Sequence, residues 1–216
     1  MYIQCMGRSE QLGHDTHDTD KIPGGYLRYY DREFAGREKS TRVLVELGID
    51  KGGSLRLWHD WFPWARIIGF DRCAHPPMHG QWPRIETHLC QQSDPATILR
   101  HLPPVVDIII DDMSHLRSLT EPCLWALWDR LAPGGLYVIE DWCTGYCEDW
   151  PDGEQTADMP RTPAGHSAGM VGLVKTLVDE VGAAVASRGK LTGPVLRKSR
   201  FSRMAVYAGL VCIEKA

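Results

Sequence analysis

The sequence predicts an α/β fold, a mostly parallel sheet with helices on both faces. Three observations carry that reading. Short aliphatic runs alternate along the chain with segments of helical spacing, the order in which strand–helix–strand units are written. The run Val105 to Ile110 is apolar except for Asp107, as a strand buried on both faces must be. Four such runs also end in acid, at Glu46, Asp71, Asp111-Asp112 and Glu140-Asp141. Right-handed crossovers bring all these ends to one rim, where open α/β sheets hold their ligands.

Residues 1–20 are polar and rich in Gly, Asp and His, and are expected to be mobile to about Gly13. His14 and His17 among Asp15, Asp18 and Asp20 offer a metal-ligating set, against the plainer reading of a solvated segment. From Ile22 to Phe34, Tyr26, Tyr29, Tyr30 and Phe34 recur at helical spacing, which suits a helix packed outside the sheet and closing over a site. The chain thus divides into residues 1–40, an N-terminal segment with a lid-like helix, and 41–216, the main domain.

Thr41 to Gly48 is the first strand, running into the loop Gly48-Ile49-Asp50-Lys51-Gly52-Gly53-Ser54. Ser54 suits the N-cap of a helix carrying Leu55, Trp58, Trp61 and Phe62, which stops at Pro63. Glycines here allow close backbone approach to a ligand, and free amides collect at the helix start. Ala65 to Asp71 is the second strand. Asp71 lies 25 residues after Glu46, near the interval at which an acid meets a ribose in nucleotide-binding units. Arg84 to Leu89 is the third strand, with Gln91-Gln92-Ser93-Asp94 at its end and a helix from Pro95. The strand Val105 to Asp111 follows, then a helix with Leu119, Leu124, Trp125, Leu127, Trp128 and Leu131, halted at Pro133-Gly134-Gly135. Gly135 to Glu140 is the fifth strand. Trp142 to His166 is too long for a simple connection and reads as a lid or binding loop. Met170 to Val185 is an amphipathic helix, and Met204 to Glu214 is a strand pair or one strand broken at Gly209.

Composition narrows the function. A chain of 216 residues with 43% apolar content suits one domain, or one with a short appendage. The net charge of −4 carries no basic footprint, which argues against nucleic acid. No apolar run approaches the ~20 residues of a membrane helix, and no signal peptide is visible at the N-terminus. Seven scattered cysteines, with no second pair to support Cys143 and Cys147 as a zinc site, read as reduced thiols in a cytoplasm.

The rim then suggests chemistry. Glu46 and Asp71, flanking the loop at Gly48, suit the hydroxyls and ammonium of a nucleoside-like ligand. Asp112, Glu140 and Asp141 suit a hard divalent ion, because like charges so close resist joint ionisation unless a cation lies among them. No Gly-x-Ser-x-Gly elbow, Walker lysine or G-x-G-x-x-G loop is present. What remains is a bound cofactor beside an ion, with His115 three residues past a metal ligand as a proton acceptor for a hydroxyl.

Glu46-Leu47-Gly48, Gly52-Gly53-Ser54-Leu55, Trp58, Phe62-Pro63, Gly69 and Asp71 resemble the first half of the macrocin O-methyltransferase family. Gln92-Ser93-Asp94, Asp111-Asp112-x-Ser114-His115 and Pro133 to Asp141 extend the resemblance, which runs from about Thr19-Asp20-Lys21 to Lys215. Cephalosporin-cluster and rhamnosyl methyltransferases are similar in the same places. The resemblance implies a Rossmann-like class I methyltransferase fold, S-adenosylmethionine as cofactor, and methylation of a sugar hydroxyl on a glycosylated natural product. It implies magnesium on Asp112, Glu140 and Asp141, with His115 as the base. It adds Ser54, Gln92, Ser93 and Asp111 to the cofactor contacts. A homo-oligomer is expected. Departures are Met113 where glycine is usual, Cys90-Gln91 where Gly-Asp is common, and the missing large N-terminal part. A phenol or catechol acceptor is the alternative within methyl transfer, since Trp142, Tyr146 and Trp150 would stack either ring. An NAD-dependent oxidoreductase, a metal-dependent hydrolase and a catalytically dead binding protein are more distant readings.

Overall fold

The computed structural model describes residues 7–12, 17–74, 78, 81–147, 149–152, 165–188 and 197–216. The helices are α1 (Arg8–Leu12), α2 (Leu27–Glu33), α3 (Gly53–Trp61), α4 (Pro95–His101), α5 (Arg117–Leu127), α6 (Gly169–Val181) and α7 (Ala183–Arg188). The strands are β1 (Val43–Leu47), β2 (Arg66–Asp71), β3 (Ile85–Leu89), β4 (Val106–Asp111), β5 (Leu131–Glu140), β6 (Phe201–Val206) and β7 (Leu210–Lys215). They form one sheet in the order β3-β2-β1-β4-β5-β7-β6, parallel from β3 to β5. β7 runs antiparallel to both β5 and β6. The expected break at Gly209 is therefore a hairpin turn. The strand order reverses between β1 and β4, which opens a crevice there.

Alternation along the strands sorts the core into two layers. Val45, Leu47, Ile68, Phe70, Ile109, Tyr137 and Ile139 pack under α4, α5 and α6. Leu44, Ile67, Ile108, Ile110, Leu136 and Val138 pack under α2 and α3. The aromatic N-terminal helix belongs to this second layer. Tyr30 and Phe34 are fully buried against Trp58, with ring centroids 4.8 and 5.7 Å from it. Its aromatics complete the core as well as reaching the rim.

Several local expectations change. The region before Gly13 carries α1, anchored where Ser9 N–H donates to Asp31 (2.9 Å) and Arg8 to the Asp60 carbonyl (2.7 Å). His17 is buried and pairs with Asp60 at 3.0 Å, while His14 and Asp15 lie outside the described residues. The helix before Pro133 ends at Leu127. A 3-10 turn at Trp128–Arg130 lets β5 begin at Leu131, ahead of the Pro-Gly-Gly. Of the long loop after Asp141, residues 153–164 lie outside the described ones. Its start is a 3-10 turn, Trp142–Tyr146.

One buried ion cluster fastens α6 to β6. Glu180 accepts from Arg197 (2.7 Å), Arg200 (3.1 Å) and the Arg200 backbone amide (2.8 Å). Burial alone would raise its pKa, but these bonds bring it down to about 2. A depressed carboxyl stabilises the fold above its unfolded value of 4.5, and that contribution is lost as pH falls toward 2. Glu180→Gln should cost about 1–3 kcal/mol at neutral pH. Denaturant unfolding at several pH values should show the deficit shrinking on acidification.

Candidate active site

The strand alternation that sorts the core also sorts the acids. Glu46 pairs in register with Ile110, and Ile110 with Val138. Glu46, Asp112 and Glu140 therefore share the α2/α3 face, each two residues on from a buried aliphatic. Asp111 falls on the opposite face with Tyr137. The acids do share a rim, but they divide between its two sides.

The α2-side acids meet a residue far away in sequence. The Lys21 side chain is 1% exposed, and its ammonium donates to Asp112 Oδ2 at 2.6 Å and Glu140 Oε2 at 3.2 Å. Glu46 Oε1 lies 3.4 Å from the same nitrogen. Burial would lower the Lys21 pKa, but three carboxylates from β1, β4 and β5 raise it well above its ordinary value. This corrects the argument from crowding. Much of the charge is balanced by an internal ammonium, so the case for a bound cation rests on the outer edge of the cluster.

At that edge stand Asp112, His115 and Asp141. His115 Nε2 is 3.8 Å from Asp112 Oδ1 and 3.7 Å from Asp141 Oδ2. One ligand atom from each residue lies within 4.8 Å of the other two. Glu140 belongs to a deeper set with Glu46 and Asp112, and there the ammonium stands. His115 and Asp141 both have left-handed backbones, at φ 52° and 53°, and the third such non-glycine residue among the described ones is Asp50 at φ 45°. All three face the same cavity. Strained conformations of this kind persist where surrounding structure enforces them, commonly at functional sites. For His115 the enforcing contacts come from the loop after β5, since Trp150 Nε1 (3.2 Å) and Thr144 Oγ1 (3.4 Å) donate to its carbonyl. Trp142 is likewise engaged, donating to the Tyr207 carbonyl at 2.9 Å, while Tyr146 is exposed.

The cavity has a volume of about 390 Å³ and opens over the β1/β4 crevice. Gly48, Ser54, Asp71, Asp112, His115 and Asp141 face it, and residues 18–21 form its other wall. Asp71 accepts from the amides of Ile49 and Cys73, both at 2.8 Å, so it also shapes the loop it shares with the cavity. Glu46 is not on the wall. It is fully buried and accepts from Ser54 Oγ at 2.8 Å. That bond also corrects the N-cap expected at Ser54. The cap is Gly52 in a left-handed conformation, and Ser54 lies inside the helix.

Gln92 and Asp111 lie beneath the cavity. Gln92 Nε2 donates to both Asp111 oxygens (2.7 and 2.9 Å), Tyr137 donates to the same carboxylate (2.9 Å), and Ser114 donates to Gln92 Oε1. Burial pushes the Asp111 carboxyl up to about 7. This network steadies the turn that carries His115, and Ser93 is exposed away from the cavity wall. The loop glycines answer to neighbouring backbone more than to a ligand. A Cβ on Gly48, whose φ is +97°, would lie 2.1 Å from the Asp112 carbonyl, and one on Gly53 1.7 Å from that of Asp18.

Lys21, Tyr26 and Tyr30 are the site residues that sequence reasoning missed. Tyr26 donates to Asp141 and Tyr30 to Glu140. The helical spacing of the tyrosines was visible, and Lys21 lay in the stretch Thr19-Asp20-Lys21 where the family resemblance begins. What they touch was not.

No protein-family profile matches the chain. Demethylmacrocin O-methyltransferase of Streptomyces fradiae is 34% identical over 202 residues, covering 88% of this chain and 48% of that protein. Mycinamicin VI 2''-O-methyltransferase of Micromonospora griseorubida is 38% identical over 167 residues, covering 72% and 39%. Over this stretch the chain is similar to the macrocin-type O-methyltransferases. It spans less than half the length of either of these two relatives. A solved structure of MycE methyltransferase from the mycinamycin biosynthetic pathway, in complex with Mg, SAH and mycinamycin VI, superposes with a TM-score of 0.69 at 30% identity. It covers 88% of this chain and 49% of that one. The fold of the chain is accordingly that of the Rossmann-like class I methyltransferases, as expected. No helix among its described residues is long and apolar enough to cross a membrane.

Proposed function

We propose that this chain is the catalytic part of an S-adenosylmethionine-dependent, divalent-metal-dependent O-methyltransferase whose acceptor is a sugar hydroxyl of a glycosylated natural product. The observation that carries this is one cavity bounded on one side by Asp71 and the Gly48 loop and on the other by Asp112, His115 and Asp141. A loop suited to a cofactor and two acids suited to an ion thereby face the same space. The relatives above are named for demethylmacrocin and mycinamicin VI, and the 8-demethyl-8-alpha-L-rhamnosyl tetracenomycin-C 2'-O-methyltransferase of Streptomyces olivaceus is 35% identical over 164 residues, which supports a glycosylated acceptor.

The residues fit both groups. The carboxylates of Asp112 and Asp141, within 4.8 Å of one another, are hard oxygen donors suited to magnesium, with Glu140 directly behind as a further one. The cavity is within the size range of small-molecule sites and is polar on the Asp71 side, as hydroxyls require. When bound, S-adenosylmethionine supplies the methyl group and a sulfur that leaves with its electron pair, and magnesium lowers the pKa of a hydroxyl nearby. The chain's part is to hold and deprotonate. With cofactor and acceptor in place, His115 Nε2 would take the proton of the acceptor hydroxyl. Asp112 and Asp141 flank that nitrogen and would hold the ion, and the strained turn keeps the ring aimed into the cavity.

Binding of S-adenosylhomocysteine tests the reading. Calorimetry should show binding to the chain and none of NAD, and Asp71→Ala should weaken S-adenosylhomocysteine by about 1–3 kcal/mol through lost charge-assisted hydrogen bonds. Unchanged affinity in the variant would remove Asp71 from the cofactor site. Turnover assayed with glycosylated macrolides against catechols decides the acceptor class.

A further inference from the structure

The three proposed metal carboxylates have one feature in common that the reaction itself does not explain. Each accepts from a donor on a single short stretch of chain. Lys21 takes Asp112 Oδ2 and Glu140 Oε2, Tyr26 takes Asp141 Oδ1, and Tyr30 takes Glu140 Oε1, so Glu140 is engaged at both oxygens and Asp112 and Asp141 at one each. The oxygens of Asp112 and Asp141 left over, Oδ1 and Oδ2, are the two that face His115 Nε2. We infer that the segment from Lys21 to Tyr30 is the positioning shell of the ion site, selecting which carboxylate oxygens are offered to a divalent cation. The inference rests on the divalent-ion reading above and adds residues to it.

The packing around these donors is built to seat them. Tyr30 is wedged between Phe34 and Trp58, at 4.9 and 4.8 Å between ring centroids, which aims its hydroxyl at the end of β5. Tyr26 crosses Gly209 so closely that a Cβ there would lie 2.2 Å from the phenol oxygen. The β6–β7 turn thus leaves room for this side chain. Lys21 is threaded beneath the cavity by the stretch that passes Gly53, where the Asp18 carbonyl occupies the space of a side chain. A carboxylate with one oxygen fixed by a donor has lost its rotational freedom, and it presents the other oxygen at a defined point. Donors of this kind behind metal ligands typically contribute 10–100-fold in affinity.

Tyr26→Phe removes one hydroxyl from a half-buried ring and leaves the charge of the site unchanged, so the fold should survive. Manganese alone is the probe, titrated into the full chain by calorimetry or electron paramagnetic resonance without cofactor or acceptor. The variant should bind manganese about 10–100-fold more weakly, with S-adenosylhomocysteine affinity of the metal-free protein within about twofold of wild type. Tyr30→Phe should behave alike, and Asp141→Asn should lose the ion more severely than either. Manganese affinity in both tyrosine variants within about twofold of wild type would overturn the positioning role. A wild-type chain that binds no manganese would overturn the divalent-ion reading itself, a different result from a different sample.

Discussion

Replacing His115 by alanine should lower kcat by about 10²–10⁴-fold, the usual contribution of a positioned general base. Methyl transfer leaves the protein little covalent work. The leaving group comes with the cofactor, so what remains is alignment and removal of one proton. Among the groups facing the cavity, His115 is the one whose nitrogen lies between the two acids that would hold the ion, at 3.7 and 3.8 Å. That position admits a second role, since the imidazole is also close enough to be a ligand. Two measurements on the same variant separate them. A base lost without a ligand lost gives a fall in kcat with manganese affinity unchanged. A fall in both makes His115 part of the ion's shell and moves proton removal to water or to Asp141. A variant within about threefold of wild type in kcat would take His115 out of the chemistry altogether.

Removing divalent ions should abolish turnover and leave S-adenosylhomocysteine binding largely intact. The structure refines why. Lys21 balances the acids at the floor of the crevice, so the ion is not needed to hold the fold's charges apart. The outer pair, Asp112 and Asp141, has a phenol and an imidazole beside it but no further ammonium within ion-pair distance among the described residues. On the proposed function, a cation there would serve the acceptor hydroxyl. Turnover that persists in excess chelator would refute that role, and activity restored by magnesium but not by calcium would match the smaller, stricter octahedral preference. Glu140→Gln is the companion variant. A ligand role predicts lost manganese affinity, whereas a purely internal partner of Lys21 and Tyr30 predicts lost stability.

The strands and their order of appearance were legible in the sequence because buried parallel strands must be continuously apolar, and Val106 to Ile110 and Leu136 to Ile139 could be little else. The common rim of acids followed from topology alone. His115 and the rim acids Asp112 and Asp141 were legible for the same reason, being close in sequence to strand ends. Which side of the rim each acid takes depends on register. Pairing of Glu46 with Ile110 and of Ile110 with Val138 sends Glu46, Asp112 and Glu140 to one face and Asp111 to the other. That register is set by contacts between strands remote in sequence. Lys21 is the plainest case of what only the tertiary structure decided. It lies 91 residues from Asp112 and 119 from Glu140, just past the polar stretch 1–20. A lone lysine carries no periodicity to betray its burial. The folded chain buries it because three carboxylates from β1, β4 and β5 converge on one point, and an ammonium there costs less than leaving them unpaired.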